Sequence, residues 1–210
     1  MPSTSEQIMT YAATLPEGSV LHPKMLLHLG SRAAIDQALS RLAKKGSLMR
    51  ICHGIYLLPS ETCYGPAPPA IRELLASLSA LWGETIVPCG GSAANALGLT
   101  TQVPVRSVYL TSGPNRRLSL GKLTLELRHA PRWQLAAPHR PAGAAVRALS
   151  WLGPDEVQEG LEAICRRLSA DDLEELVALR AVLPNWITEP ASALVAGGSG
   201  APLAIQARRS

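Results

Sequence analysis

The sequence predicts an α+β protein: an N-terminal winged helix-turn-helix, then a mixed α+β domain with a small antiparallel sheet and C-terminal helices. Three observations lead to this prediction. A segment with helical spacing of apolar residues runs directly into two short strand-like segments at residues 31–58. A proline-rich stretch follows at 59–69. Beyond it, alternating apolar and polar residues at 106–128 give way to helical periodicity from Pro141 onward.

Residues 31–58 predict one amphipathic helix followed by a two-stranded hairpin. Ser31 is a typical helix N-cap, because its hydroxyl can accept a hydrogen bond from a free backbone N–H of the first turn. Gly46 suits the left-handed position that ends a helix. His53-Gly54 predicts a tight turn between a strand at 48–51 and a returning strand at 55–57. The apolar positions that recur at helical spacing are Ile35, Ala38, Leu39 and Leu42.

The residues before Ser31 complete the outline of the N-terminal module. Ser3 or Thr4 can begin a first helix that runs to about Thr14. A short strand at 19–21 follows, and His22-Pro23 begins a second helix that ends at Gly30. The order helix, strand, helix, turn, helix and hairpin is that of a winged helix-turn-helix, in which the second and third helices contact DNA.

The predicted domains are a DNA-binding domain at 1–58, a linker at 59–69, an α+β domain at 70–187 and a flexible tail at 188–210. The tail is rich in Gly, Ala, Ser and Pro. Within the α+β domain we expect helical breaks at Gly153-Pro154 and near Ser169. The other expected elements are a helix at 71–82, a strand at 85–88, a helix from Ser92, and three antiparallel strands at 106–111, 117–120 and 122–128.

Charge is distributed unevenly along the chain, although the formal net charge is only +4. Lys and Arg outnumber Asp and Glu by six to three over residues 1–60 and by nine to four over 61–150, whereas acids lead by nine to five over 151–210. This uneven distribution of charge favours a protein that binds nucleic acid through its N-terminal part. No segment has the roughly 18 apolar residues that span a bilayer, and no secretory signal is recognisable, so we expect a cytoplasmic protein.

The four cysteines, Cys52, Cys63, Cys89 and Cys165, have no metal-ligand spacing, so we expect free thiols and no cofactor or metal. The expected DNA contacts lie on the helix after Ser31 and on the hairpin. Arg32 and Gln37 near the helix N-terminus would reach base edges, and the cations further along would meet phosphates. The full predicted DNA-binding set is Ser31, Arg32, Gln37, Ser40, Arg41, Lys44, Lys45, Arg50 and His53.

Two further motifs have competing interpretations. A hairpin in the second domain carries four cations and is either a solvated hairpin or a second nucleic-acid surface. Gly90-Gly91-Ser92 could cradle a phosphate, but it lacks the Lys-Ser/Thr of a P-loop, which favours close packing of a helix start. His129 and His139 have no paired carboxylate nearby in sequence, so we do not expect an enzyme. The hairpin cations are Arg116, Arg117, Lys122 and Arg128.

Two strings resemble the AbiEi-type antitoxin family, the DNA-binding half of type IV toxin–antitoxin (abortive infection) systems. The first is LSRLAKKGSLMRICHGIY at 39–56, similar to that family's helix–wing junction. The second runs through residues 86–131, where GLTTQVP and VYLTSGPNRR are similar to an uncharacterised branch of these proteins. The resemblance implies a transcriptional autorepressor that binds inverted repeats in operator DNA. It also implies a nucleotidyltransferase-like toxin that the C-terminal domain opposes, without necessarily touching it.

Two alternatives remain open at the level of sequence. A solitary winged-helix transcriptional regulator with a sensing C-terminal domain would share every feature named above. An enzyme that acts on nucleic acid would need clustered carboxylates or a metal in the second domain.

Overall fold

The computed structural model, which describes residues 2–62, 65–102 and 106–198, is a mixed α+β structure with small antiparallel sheets and C-terminal helices. Contacts along the chain divide it into two units. The first comprises Met1–Ile86 and Arg106–His129, and the second comprises Val87–Val105 and Ala130–Ser210. This division rests on contacts between residues, and the predicted domain boundaries at 58, 69 and 187 stay a prediction.

The first unit begins with two α-helices and a 3-10 helix between them. Helix α1 (Thr4–Ala13) starts with a capping box, in which the Ser3 N–H donates to Glu6 Oε2 at 2.7 Å and the Glu6 N–H donates to Ser3 Oγ at 3.3 Å. The predicted second helix forms as the 3-10 helix Pro23–Leu29, and α2 (Arg32–Lys44) follows. These helices bury a common core that includes Ile8, Leu26, Ile35, Leu39 and Leu48.

The predicted hairpin after α2 is confirmed. Strands β2 (Met49–Cys52) and β3 (Ile55–Leu57) pair antiparallel around Gly54, whose φ of +70° explains the glycine at the turn. The short strand β1 (Val20–Leu21) pairs with β3 on its other edge, which gives the order β1-β3-β2. The predicted linker contains a small hairpin of its own, β4 (Ser60–Thr62) with β5 (Gly65–Ala67).

Helix α3 (Ile71–Trp82) packs with the strands of the first unit in one apolar core. Besides β1, β2 and β3, these strands include β7 (Ser107–Thr111), β8 (Arg116–Leu120) and β9 (Leu123–His129). Strand β6 (Ile86–Pro88) forms the edge of the sheet that contains β7, β8 and β9, and the boundary between the units lies within it. The core joins Leu74 and Leu78 of α3 to Leu118, Leu125 and Ile51.

The strand order corrects one expectation. The sequence predicts three antiparallel strands with the second pairing back on the first, but β9 lies between β7 and β8. It pairs antiparallel with β8 and parallel with β7. β9 is the longest of these strands and buries Leu125 and Leu127, so a central position pairs both of its edges. Asn115 stabilises the connection, because its Oδ1 accepts the His129 N–H at 2.6 Å.

Apart from the β6 residues Val87 and Pro88, the regular structure of the second unit is helical over the described residues. Helices α4 (Gly90–Ala96), α5 (Pro141–Leu152), α6 (Val157–Cys165), α7 (Ala170–Ala178) and α8 (Asn185–Gly198) are joined by 3-10 turns at Arg132–Leu135 and Leu179–Ala181. The predicted breaks at Gly153-Pro154 and Ser169 are confirmed, and Ser169 Oγ accepts the Asp172 N–H as an N-cap.

The predicted tail at 188–210 overlaps the last helix. Helix α8 continues past Thr188 to Gly198, because Ile187 is completely buried and anchors the helix in the core of this unit. Residues 199–210 of the predicted tail lie outside the described residues. Cys52, Cys89 and Cys165 carry free thiols, whereas Cys63 lies outside the described residues.

Candidate nucleic-acid interface

Helix α2 presents a fixed exposed face. Ser31 Oγ accepts the Ala34 N–H at 3.3 Å and so caps the helix, as the sequence predicts. The predicted apolar stripe is confirmed: its four members, Ile35, Ala38, Leu39 and Leu42, are at most 6% exposed. At 100° per residue, the side chains opposite that stripe are Ala33, Gln37, Ser40 and Lys44. Ser40 is half-buried and the other three are exposed.

Three cations near the end of α2 are available for a ligand. Arg41, Lys44 and Lys45 are exposed, and none forms an ion pair within the described part of the chain. Arg41 and Lys44 lie in the last turn of the helix, and Lys45 is its C-cap. Three positive side chains within five residues, on a helix anchored by a buried stripe, make an electropositive ridge that suits phosphate groups.

Arg32 is paired within the helix. Its Nε donates to Asp36 Oδ2 at 2.9 Å, and both side chains are about half exposed, at 52% and 49%. Exposed ion pairs of this kind contribute little free energy, so a stronger acceptor could replace Asp36. His22 lies close enough to Arg32 to feel its charge. Burial lowers the pKa of His22, and Arg32 and Lys24 lower it further.

The turn of the β2-β3 hairpin brings the two predicted wing residues together. Arg50 Nη2 lies 3.3 Å from His53 Nδ1, and the guanidinium carbon lies 6.0 Å from the centre of the Tyr56 ring. Arg50 and Tyr56 are direct cross-strand partners, and Tyr56 is only 6% exposed. Arg50 is therefore an exposed cation held beside a buried ring.

Arg116 has a partner that the sequence did not indicate. Its two terminal nitrogens donate to the two carboxylate oxygens of Glu84 at 2.6 and 2.8 Å. The guanidinium carbon also lies 4.2 Å from the centre of the Trp82 ring. With 25% of its side chain exposed, Arg116 links β8 to the residues after α3. This geometry gives it a structural role and leaves it poorly placed for a second basic surface.

The remaining hairpin cations are more accessible. Arg128 Nη2 donates to Glu126 Oε2 at 2.8 Å, and Arg117 Nε lies 3.9 Å from Glu126 Oε1. The hydrogen bond from Arg128 is the main reason that the pKa of Glu126 lies below its ordinary value. Lys122 is exposed at the β8-β9 turn. Its neighbour Gly121 lies beside β2, since a Cβ there would be 3.9 Å from Met49 Cε.

Of the two interpretations of the Gly90-Gly91-Ser92 motif, the surroundings of Gly90 favour close packing of a helix start and not a phosphate cradle. A Cβ at this position would lie 2.5 Å from the carbonyl oxygen of Arg147 and 2.6 Å from Trp151 Cβ. Only glycine lets α4 approach α5 this closely. Helix α4 has seven residues and starts without a side-chain cap.

No group of three or more His, Cys, Asp or Glu side chains that could hold a metal ion occurs in residues 2–62, 65–102 and 106–198. In the same ranges, none of the helices has both the length and the apolar character needed to cross a bilayer.

Comparison with known proteins places the chain in a family. The family of unknown function DUF6088 matches residues 7–176. No curated protein is significantly similar to the chain. The crystal structure of the RV2827C protein from Mycobacterium tuberculosis is similar at 18% sequence identity with a TM-score of 0.48, over 94% of this chain and 78% of that chain. Since the family match extends over most of the sequence, the chain belongs to the family of unknown function DUF6088.

Proposed function

We propose that residues 1–58 form a winged helix-turn-helix that binds double-stranded DNA. In this proposal α2 enters the major groove as the recognition helix, and the β2-β3 hairpin acts as the wing against the flanking backbone. The 3-10 helix Pro23–Leu29 takes the place of the first helix of the pair. Arg32 and Gln37 would contact base edges, and Arg41, Lys44, Lys45, Arg50 and His53 would contact phosphates.

One observation carries the proposal. Arg41, Lys44 and Lys45 are exposed, have no acidic partner among the described residues, and lie at the end of a helix whose apolar stripe is buried. A helix that served only to cover the core would gain from pairing these cations with acids at i±4. Instead, the one acid of α2, Asp36, is paired with Arg32 near the other end.

We propose further that the DNA is the protein's own operator, so that the protein is a cytoplasmic transcriptional autorepressor in the role of an AbiEi-type antitoxin. Inverted repeats would need two copies of the chain, since each α2 reads one half-site. The accompanying toxin would be a nucleotidyltransferase-like enzyme, opposed without a requirement for direct contact. This part rests on the two strings at 39–56 and 86–131 that resemble that family.

A solitary transcriptional regulator with a sensing C-terminal domain is the second candidate. It is favoured by an apolar cavity of about 200 Å³ in the second unit, bounded by α6, α7 and α8. A toxicity-rescue assay separates the two candidates. If the neighbouring gene encodes a toxic product that this chain neutralises, the antitoxin role is supported; if it does not, the solitary regulator is.

DNA binding itself is tested with the DNA upstream of the chain's own coding sequence. The full chain should protect a defined site there and bind it more tightly than a scrambled duplex of equal length. The double variant Arg41→Gln/Lys44→Gln should weaken binding by about tenfold or more at moderate salt, because two phosphate contacts are lost.

The matched control is Arg132→Gln/Arg166→Gln, which removes the same charge from exposed positions of the second unit. It should bind as the parent protein does. Equal affinity of the α2 double variant and the parent, or no preference for the upstream DNA, would refute the proposed interface.

A further inference from the structure

The second unit contains an apolar cavity that the proposed DNA contacts do not use. Its volume is about 200 Å³. Four of the six aliphatic side chains in its wall are buried, namely Leu161, Leu176, Leu183 and Ile187. Val177 and Ala191 complete this wall. Cavities that hold small ligands are lined in this way, with few polar groups among aliphatic ones.

One cation lies at the edge of this apolar space. Arg180 lines the cavity and is exposed, in the 3-10 turn between α7 and α8. No hydrogen bond or ion pair ties its guanidinium to another described residue. Glu175, which precedes the wall residue Leu176, is already paired with Arg140 at 3.1 Å. Arg180 is thus free to meet an anion.

Two hydroxyl groups also line the cavity. Thr188 and Ser192 of α8 line it together with Arg180. The Thr188 hydroxyl donates to the Asn185 carbonyl oxygen at 3.3 Å, which leaves the Ser192 hydroxyl as the donor available to a ligand. A guanidinium and a hydroxyl donor beside an aliphatic wall match a carboxylate attached to an apolar body.

The size of the cavity limits that body. An apolar void of about 150 Å³ holds one benzene molecule. A space of about 200 Å³ therefore accommodates one ring with a small substituent.

We propose that this cavity binds a small aromatic monocarboxylate of about the size of benzoate, with its ring against Leu161, Leu176 and Ile187 and its carboxylate on Arg180. The proposal does not depend on DNA binding, because every residue in it belongs to α6, α7, α8 and the turn between them.

The test is calorimetric titration of the full chain with benzoate and with benzamide, which has the same ring but no charge. Benzoate should bind, and benzamide should bind at least about fivefold more weakly, since it cannot form the charge-assisted contact. Arg180→Gln should weaken benzoate binding by a similar factor without changing benzamide binding. Ala191→Leu, which adds three carbon atoms to the wall, should weaken both ligands.

The control variant is Arg166→Gln, at the exposed C-cap of α6, which does not line this cavity. It should leave both affinities unchanged. Thermal melting of each variant without ligand shows that it is folded. The proposal is overturned if benzoate does not bind at millimolar concentration, if benzamide binds equally well, or if folded Arg180→Gln retains full affinity for benzoate.

Discussion

Glu84 and Arg116 form an ion pair with two parallel hydrogen bonds, of 2.6 and 2.8 Å, across 32 residues of chain. Thr111 adds a third contact, as its Oγ1 donates to Glu84 Oε2 at 3.2 Å. The Trp82 ring covers the guanidinium. One carboxylate thus ties the residues that follow α3 to both β7 and β8, and we expect the first unit to depend on it.

Glu84→Gln should lower the free energy of unfolding by about 2 kcal/mol at pH 7. The amide cannot accept two charge-assisted hydrogen bonds, and it leaves the guanidinium without its counter-charge. Urea denaturation of the parent and the variant measures the difference. Glu174→Gln is the matched control, since Glu174 is exposed and has no ion pair with a described residue.

The stability difference should also depend on pH. Hydrogen bonds from Arg116 hold the pKa of Glu84 below its ordinary value, so the folded protein binds this proton less readily than the unfolded chain. The stabilisation is therefore complete above the ordinary carboxyl range and is lost as pH falls through the lowered pKa. A difference between parent and Glu84→Gln that stays constant into strong acid would contradict this role.

Local features of this fold could be predicted from the sequence. The Ser31 cap, the buried stripe of α2 and the turn at Gly54 each depend on residues within a few positions of one another. Caps and turns of this kind are decided by side-chain chemistry and backbone conformation over one helical turn or less.

Non-local features could not be predicted. The KLTLELR segment shows that a strand forms, but its place between β7 and β8 depends on which edges the rest of the sheet leaves unpaired. In the same way, Arg116 looks like one of four hairpin cations until Trp82 and Glu84 are placed beside it. The ion pair of Arg32, by contrast, is local: its partner Asp36 lies four residues further along the helix, a spacing that can be recognised in the sequence.

The proposed roles on α2 predict two different mutational effects on DNA binding. Arg41→Gln should weaken binding to all sequences and reduce the slope of log affinity against log salt by about one, because one phosphate contact is lost. Gln37→Ala should leave the slope unchanged and relax specificity by about 1–3 kcal/mol at one base pair. Affinities measured over a salt series on operator and mutated duplexes separate the two. A slope unaltered by Arg41→Gln would refute its assignment to phosphate.

Gly90 predicts a large loss of stability from one added methyl group. In Gly90→Ala the new Cβ would overlap the Arg147 carbonyl oxygen and Trp151 Cβ, so α4 and α5 would have to separate. We expect a loss of about 2 kcal/mol or more in the free energy of unfolding. Gly46→Ala is the comparison, since Gly46 has a φ of +79° and open space around it. It should cost about 1 kcal/mol, the conformational penalty alone. Equal losses would rule out close packing as the reason for Gly90.

The buried guanidinium of Arg147 leads us to expect that replacing this residue stabilises the protein. Arg147 is 3% exposed, and among the described residues only its Nη2 has a hydrogen-bond partner, the Pro138 carbonyl oxygen at 3.3 Å. Burial lowers the pKa of Arg147 to about 10. The folded protein therefore holds this proton less tightly than the unfolded chain does, and the penalty is fully present below pH 10 and relieved only as pH rises through that value.

Replacing this guanidinium with an apolar side chain of similar length should remove the penalty. We expect Arg147→Met to raise the free energy of unfolding by about 1–3 kcal/mol at pH 7, because the single hydrogen bond to Pro138 offsets only part of the desolvation cost. Arg166→Met, at an exposed position, should change it by less than about 0.5 kcal/mol. Denaturant titration at pH 7 and again near pH 10.5 checks the cause, since the advantage of Arg147→Met over the parent should shrink at the higher pH. A destabilised Arg147→Met variant would contradict this prediction, because it would mean that another group compensates the buried charge and that the folded protein depends on it.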